Sequence, residues 1–274
     1  MPQEVLALLD LHKGETVVDA TYGLGGHSAL IKKAAKVELI ALDADPAAGK
    51  GVINANFADL DEVLGDLGVQ KIDKALFDLG WNMTQLSSGR GFSFMRDEPL
   101  NMSYSTKPRS GFTAQEALNT WSEKVLADVF FGYGEERYAR RIAKAIVERR
   151  ALHPFASTIE FVETIKDSVP AAYRRGRLHP ATKSFQGLRI AVNDELGAIE
   201  QGLTAAWKHL SVGGRIVVIT FHSIEDRKVK QMFAAWAKGG EGTLVVKKPL
   251  TASAAEVKKN PPSRSAKIRA IEKI

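Results

Sequence analysis

TVVDATYGLGGHS, residues 16–28, decides how the rest of the chain is read. A β-branched run ends at an acid, Asp19, and breaks into a glycine-rich turn. A helical stretch over 29–35 follows at once. Glycines in such a turn let the backbone approach a ligand and take φ > 0. The helix start that follows presents N–H groups with no partner inside the helix.

Outward from this stretch, ELIALD (38–43) reads as a second strand ending in an acid, GVINANF (51–57) holds a third and DKALF (73–77) a fourth. RIVVITF (215–221), introduced by the turn VGG, is the clearest strand of all. Apolar strands alternating with helical stretches indicate an α/β fold with a parallel sheet covered on both faces. Roughly 135 residues separate the fourth strand from RIVVITF, although a parallel crossover needs only about a dozen. That interval is helical. TAQEALNT, SEKVLADVFFGYG and GEERYARRIAKAIVERR space apolar residues by three and four, and STIEFVETIKDSV opens on a Ser/Thr cap with Pro170 beyond its end. The expectation is an inserted helical, substrate-recognising domain at 111–179 and a discontinuous sheet domain at 1–110 and 180–274. One long helix over 181–210 should return to the sheet. GTLVVK (242–247) and 266–272 are expected as edge strands, and 251–265 as loosely ordered.

Hydrophobic residues make up 45% of the 274 positions, enough for a real core. There is no cysteine, which excludes disulfides and thiolate metal sites and fits a reducing compartment. Six scattered histidines give no metal cluster. The first residues do not read as a signal peptide, and the apolar runs fall far short of the ~20 residues of a membrane span. A soluble, cytoplasmic protein is expected. Lys and Arg exceed Asp and Glu by 38 to 32, and the excess is concentrated. Residues 137–150 hold six basic side chains and one acid, 174–189 hold five and none, and the tail from 257 is basic again. Solvated helix faces and contacts with a nucleic-acid backbone both account for such clusters.

Asp43 lies 20 residues after Gly23, the spacing at which an acid takes the hydroxyls of a ribose. A dinucleotide fingerprint from Gly23 fails at its third glycine, where Ser28 stands. Asp19 ahead of the glycines, the compressed GxGG and the acid ending the second strand suit S-adenosylmethionine, which has one ribose and no pyrophosphate. A glycine turn with no ligand is the bland alternative. DLGWNMTQL (78–86) then falls where a third ligand-facing loop belongs. Acids at three strand ends, Asp19, Asp43 and Asp78, are hard to explain as packing, and their field suits a sulfonium.

DATYGLGGHS, ALDADP, FDLG, RGFSF, GEERYARRIAKAIVE, HPATKSFQGLRIAVNDEL, GGRIVVITFHSIEDRKVK and NPPSRSAKIR occur in that order over nearly the whole chain. Together they resemble the MraW/RsmH family of bacterial 16S rRNA cytosine-N4 methyltransferases. The resemblance implies a class I (Rossmann-like) S-adenosylmethionine-dependent methyltransferase sheet with an inserted helical domain. It implies S-adenosyl-L-methionine as cofactor and one cytidine in the decoding region of 16S rRNA as substrate, within the small ribosomal subunit and without DNA. It further implies that Gly25, Gly26 and His27 hold the methionine end, Asp43 the ribose, and Phe57 the adenine, with Asp78 and Gln85 closing the pocket. Taken alone, His27 reads as a cap or packing residue and Phe57 as core.

The chain departs from that pattern on the target side. It has DLGWNMTQ for DLGVSSPQ and LNMSYS (100–105) for LDMRMD, and lacks HxPVLL ahead of Glu4. Methylating an aromatic amine needs an acceptor for its proton. Asn82 is the catalytic candidate, with the carbonyls of 80–83 beside it. Trp81 either stacks on the base or is simply buried. Arg90 and Arg96 are candidates for phosphate contact, Phe92 and Phe94 for stacking or core, and His222 for RNA contact. Ser223 and Asp226 read as the capping box of a helix over 224–236. Two other functions stay open: a methyltransferase of this fold acting on another RNA, DNA or a small amine, and a non-catalytic, cofactor-binding ribosome-assembly factor. Oligomeric state is not legible in the sequence.

Overall fold

Side chains buried on alternate faces build the sheet. In the computed structural model, which describes residues 1–81 and 83–274, its strands are β1 (Thr16–Asp19), β2 (Glu38–Asp43), β3 (Ile53–Asn54), β4 (Ile72–Asp78), β5 (Leu210–Thr220), β6 (Gly242–Leu244), β7 (Leu250–Thr251) and β8 (Lys267–Lys273). Their order is β3-β2-β1-β4-β5-β8-β6, with β7 paired to β8. β1 to β5 pair in parallel, and β8 runs antiparallel to β5, β6 and β7. The fold is α/β with a Rossmann-like core. β8 was expected at an edge, yet it lies between β5 and β6.

Both faces of the sheet are dry. Val18, Ala75, Phe77, Ile216 and Val218 point to one face, where Leu60, Leu203, Trp207 and Phe233 cover them. Val17, Leu76, Val217 and Ile219 point to the other, under Val5, Leu9 and Ile31. Each Val, Leu, Ile or Phe among them contributes ~1.5–3 kcal/mol on leaving water. The covering helices are Leu60–Asp66, Glu195–His209 and Ser223–Lys238 on the first face, and Pro2–Leu9 and Gly26–Ala34 on the second. Arg215 ties the layers together. It donates to the Leu8 carbonyl at the end of the first helix and pairs with Glu272 of β8 at 2.7 Å.

The chain divides into two compact units, Met1–Gly80 with Leu196–Ile274, and Trp81–Glu195. The second unit is helical, with its own core of Leu118, Phe130, Ile142, Ile146, Phe161 and Phe185. It reaches beyond the 111–179 span read from the sequence. Phe92, Leu100 and Met102 on one side, and Ala181, Leu188 and Val192 on the other, pack into that core. Side-chain caps start its helices. Thr113 with Glu116 and Ser157 with Glu160 form capping boxes, and Ser122 accepts from Val125.

Two further expectations need correcting. Residues 181–210 are not one helix, because Asp194 takes a left-handed conformation (φ 46°) and separates Thr182–Asn193 from Glu195–His209. Residues 251–265 are ordered: they hold the helix Ala254–Lys259 and a 3₁₀ turn, and Glu256 pairs with the Met1 amine at 2.9 Å. No helix among the described residues is long and apolar enough to cross a membrane.

Gly134 and Gly187 let the helix Thr182–Asn193 approach the backbone of 129–134 closely. A Cβ on Gly134 would sit 2.6 Å from the Phe130 carbonyl and closer still to that of Lys183. Gly134→Ala is therefore expected to destabilise the protein by about 1–3 kcal/mol, read as a lower midpoint in urea. An unchanged midpoint would mean that this helix contact is looser than described.

Candidate active site

A parallel sheet offers a ligand crevice where successive connections leave in opposite directions, beyond the carboxyl ends of the strands. Here the chain passes from β1 outward to β2 and β3, then returns to β4 and β5 on the other side of β1. The crevice therefore opens at the ends of β1 and β4, where Asp19 and Asp78 stand.

The glycine turn is fastened to the strands on both sides. Ala20 N–H donates to the Leu76 carbonyl of β4, and Tyr22 N–H to the Leu42 carbonyl of β2. Gly23 N–H donates to Asp43 Oδ2 at 2.6 Å, and Asp45 N–H to Asp43 Oδ1 at 2.8 Å. Asp78 N–H donates to the Thr21 hydroxyl at 2.6 Å. Gly25 caps the following helix in a left-handed conformation (φ 76°), and a Cβ there would lie 2.5 Å from the Tyr22 hydroxyl. Gly26 is different, since a Cβ on it meets no described atom within 4 Å. Packing among the described residues gives no reason for glycine at Gly26.

Ser28, where the dinucleotide pattern fails, is buried and donates its hydroxyl to Asp19 Oδ2 at 2.6 Å. Asp19 also accepts from Thr21 N–H. Even so, burial raises the Asp19 pKa above its ordinary 3.8, with the Asp43 charge adding to the shift. The Asp78 pKa is also raised, to about 7, by burial first and then by the charges of Asp19 and Glu225, with the chain's amino terminus opposing. Its Oδ1 has no hydrogen-bond partner among the described residues, and its Oδ2 lies 3.6 Å from His27 Nε2. Burial lowers the His27 pKa below 6.5, so the imidazole is neutral at pH 7. The first unit thus brings Asp19, His27 and Asp78 together beside the Asp43 loop, with an unused acceptor and an open glycine. This arrangement suits a small ligand that carries positive charge and hydroxyls.

Phe57 starts the turn after β3. It packs edge-on against Phe77 at 5.7 Å and rests on Gly202, where a Cβ would meet its ring at 2.7 Å. His222 caps the helix Ser223–Lys238. Its Nδ1 accepts from Glu225 N–H, while Glu225 accepts from the Phe221 and His222 N–H groups. The capping box is therefore His222 with Glu225, one residue earlier than Ser223 with Asp226. Asp226 instead binds Arg269 and Lys267 of β8.

Of the remaining candidates, Asn82 lies outside the described residues. The rest belong to the second unit. Trp81 is 42% exposed, and Gln85 is buried. Arg90 donates to the carbonyls of Ser103 and Tyr104, and Phe92 is buried in a parallel stack on Tyr104 at 5.4 Å. Arg96 is exposed. Phe94 stacks on His179 at 4.7 Å. In LNMSYS, Tyr104 donates its hydroxyl to Glu195 at 3.0 Å, and Glu195 also holds Arg189 through two bonds. This part of the departure is used to build the second unit. Sequence reasoning missed Thr21 and Glu225. The acid three residues after His222 was the available signal for Glu225.

Comparison with known proteins covers the whole chain. The family model described as MraW methylase family matches residues 1–274. "Ribosomal RNA small subunit methyltransferase H" of Symbiobacterium thermophilum is 43% identical, over 99% of this chain and 95% of that protein. The protein of the same description from Geotalea daltonii is also 43% identical, over 100% and 97%. Among solved structures, an rRNA methylase from Streptococcus thermophilus covers 100% of this chain and 97% of its own at 13% identity, with a TM-score of 0.46.

The Asp78 shift has a consequence for stability. The folded carboxyl keeps its proton up to about pH 7, whereas the unfolded one loses it near pH 4. The folded state therefore binds more protons across that window, and stability falls as pH rises through it. Asp78→Asn lacks this penalty. It should be more stable than the parent at pH 8, on the order of 1–2 kcal/mol after allowing for partial exposure, and equal to it near pH 4. Identical urea midpoints at pH 8 would remove the strained carboxylate.

Proposed function

The chain belongs to the MraW methylase family, and from that premise we propose that it methylates N4 of one cytidine in the decoding region of 16S rRNA, using S-adenosylmethionine. It is a methyltransferase, and small-subunit rRNA is the substrate class that its relatives' descriptions name. The assembled small subunit in the cytoplasm is the proposed setting. The observation that carries the cofactor assignment is Asp78, 3.6 Å from His27 and with one oxygen partnerless among the described residues, together with the open Gly26 that precedes His27.

S-adenosylmethionine supplies an electrophilic methyl on a sulfonium. Gly25, Gly26 and His27 are proposed to hold its methionine end, because only Gly26 leaves room there and His27 is neutral. Asp43 takes the ribose hydroxyls, its carboxylate already fixed by two backbone N–H groups. Phe57, braced by Phe77 and Gly202, flanks the adenine. Asp78 faces the positive charge, and Gln85 remains a proposed contact on the motif alone. Cytosine N4 is a weak nucleophile whose lone pair is delocalised into the ring. It needs alignment and a place for its proton. The Asn82 amide oxygen and the backbone carbonyls of 80–83 are the proposed acceptors, with Trp81 as a stacking surface worth ~1–3 kcal/mol. The helical unit is proposed to recognise the RNA. Exposed Arg96 is a better candidate for that than Arg90, and His222 is proposed chiefly to position the end of β5.

Labelled cofactor with small subunits lacking the modification, followed by nucleoside mapping, tests the reading. N4-methylcytidine at one site is the expected product. A different methylated nucleoside points to another substrate, and binding without transfer to an assembly factor. Gly26→Ala should keep the unfolding midpoint while weakening cofactor binding about tenfold or more, roughly 1.4 kcal/mol. Cofactor affinity of the parent should fall by about tenfold per pH unit below pH 7, because Asp78 must be ionised, and Asp78→Asn should flatten that dependence. Asn82→Ala should cut turnover and leave cofactor affinity unchanged; full turnover removes Asn82 from the mechanism.

A further inference from the structure

We propose that Arg137, held between Tyr138 and Tyr173, is a pre-formed clamp for a backbone phosphate of the RNA substrate; this deepens the rRNA reading above and rests on it. The guanidinium carbon lies 4.8 Å from the centroid of one tyrosine ring and 4.9 Å from the other. The rings meet edge-on at 4.9 Å, so the planar cation is braced from two directions. Below them, fully buried Glu136 accepts from the Tyr173 hydroxyl and, at 2.8 Å, from Tyr138 N–H. The loop beneath is fixed in turn, since Lys183 donates to the Glu135 carbonyl and Gln186 to that of Tyr133.

No hydrogen bond among the described residues takes the N–H donors of Arg137. Arg137 is exposed, and no acid among the described residues pairs with it. The same is true of Arg140 and Arg141 on the next helical turn, and of Arg174, Arg175 and Arg177 after Tyr173. A purely structural arginine would spend its donors inside the fold, as Arg149 and Arg150 do on the His153 and Leu118 carbonyls. A guanidinium set against two rings, with its donors open, matches phosphate geometry in a bidentate way and loses little rotamer entropy on binding. The neighbouring arginines add a positive field without choosing a base, as backbone recognition requires.

The test uses the full chain with Arg137→Lys, which keeps the charge but loses the planar fork, and Tyr173→Phe, which keeps the ring but loses its tie to Glu136. Affinity for unmodified small-subunit rRNA is measured against salt, beside thermal midpoint, cofactor affinity, KM and kcat. Arg137→Lys should weaken RNA binding and raise KM about tenfold, with kcat, cofactor affinity and midpoint unchanged, and Tyr173→Phe should fall in between. Arg137→Ala should also lower the logarithmic salt slope by about one. RNA affinity and KM equal to the parent's in Arg137→Lys overturn the clamp, and so does an equal loss of binding to poly-glutamate, which would mark a site for an acidic protein. The rRNA reading is judged separately: it fails if the parent itself transfers no methyl to small-subunit rRNA.

Discussion

Carboxylates at the ends of neighbouring strands repel one another, and the first unit is arranged around keeping them there. Asp19 and Asp78 end β1 and β4, whose register the sheet fixes residue by residue. Neither can retreat without breaking strands buried on both faces. Ser28 and Thr21 hold the Asp19 carboxylate, and the Thr21 hydroxyl holds the Asp78 backbone. The glycine turn is consequently sewn to both adjacent strands, although a bare connection would need neither bond. Asp78 is left with an acceptor that nothing described in the chain satisfies. Such local strain persists only where surrounding structure over-determines it, which is common where a ligand completes the site.

The strands were legible because buried parallel strands read as short apolar runs bounded by turns, and Thr16–Asp19, Glu38–Asp43 and Ile72–Asp78 are of that kind. The glycine turn was legible because few sequences place an acid, three glycines and a second acid at those intervals. What failed depends on contacts that chain order hides. The break at Asp194 needs a left-handed residue that no glycine announces. His222 acts as a cap through a ring nitrogen, while cap rules favour Ser, Thr, Asp and Asn, so Ser223 drew the assignment instead. Segment 251–265 looked polar and loose, but its order comes from a partner at the other end of the chain.

Basic residues of the second unit show the same limit. Counting charges groups Arg90, Arg149, Arg150 and Arg189 with their exposed neighbours. In the fold, these four donate to carbonyls or to a buried carboxylate, and they hold loops and helix ends in place. A cation bonded to a backbone carbonyl leaves no trace in sequence, because the acceptor belongs to any residue type. The LNMSYS departure is similar. Tyr104 stacks on Phe92 and reaches Glu195, positions 12 and 91 residues away, so its packing role emerges only once the chain is folded.

The insertion between β4 and β5 also bears on how the molecule comes into being. These strands pair along most of their length, yet the whole of Trp81–Glu195 lies between them in sequence. For a flexible chain, the entropy of closing such a loop grows with the logarithm of its length, at about 0.6 kcal/mol per doubling. A unit that collapses early on its own core removes most of that slack. Local helical contacts form faster than distant strand pairings. The β4–β5 pairing thus carries the largest loop-closure entropy among the strand pairs of the sheet, and compactness of the helical unit is what lightens it.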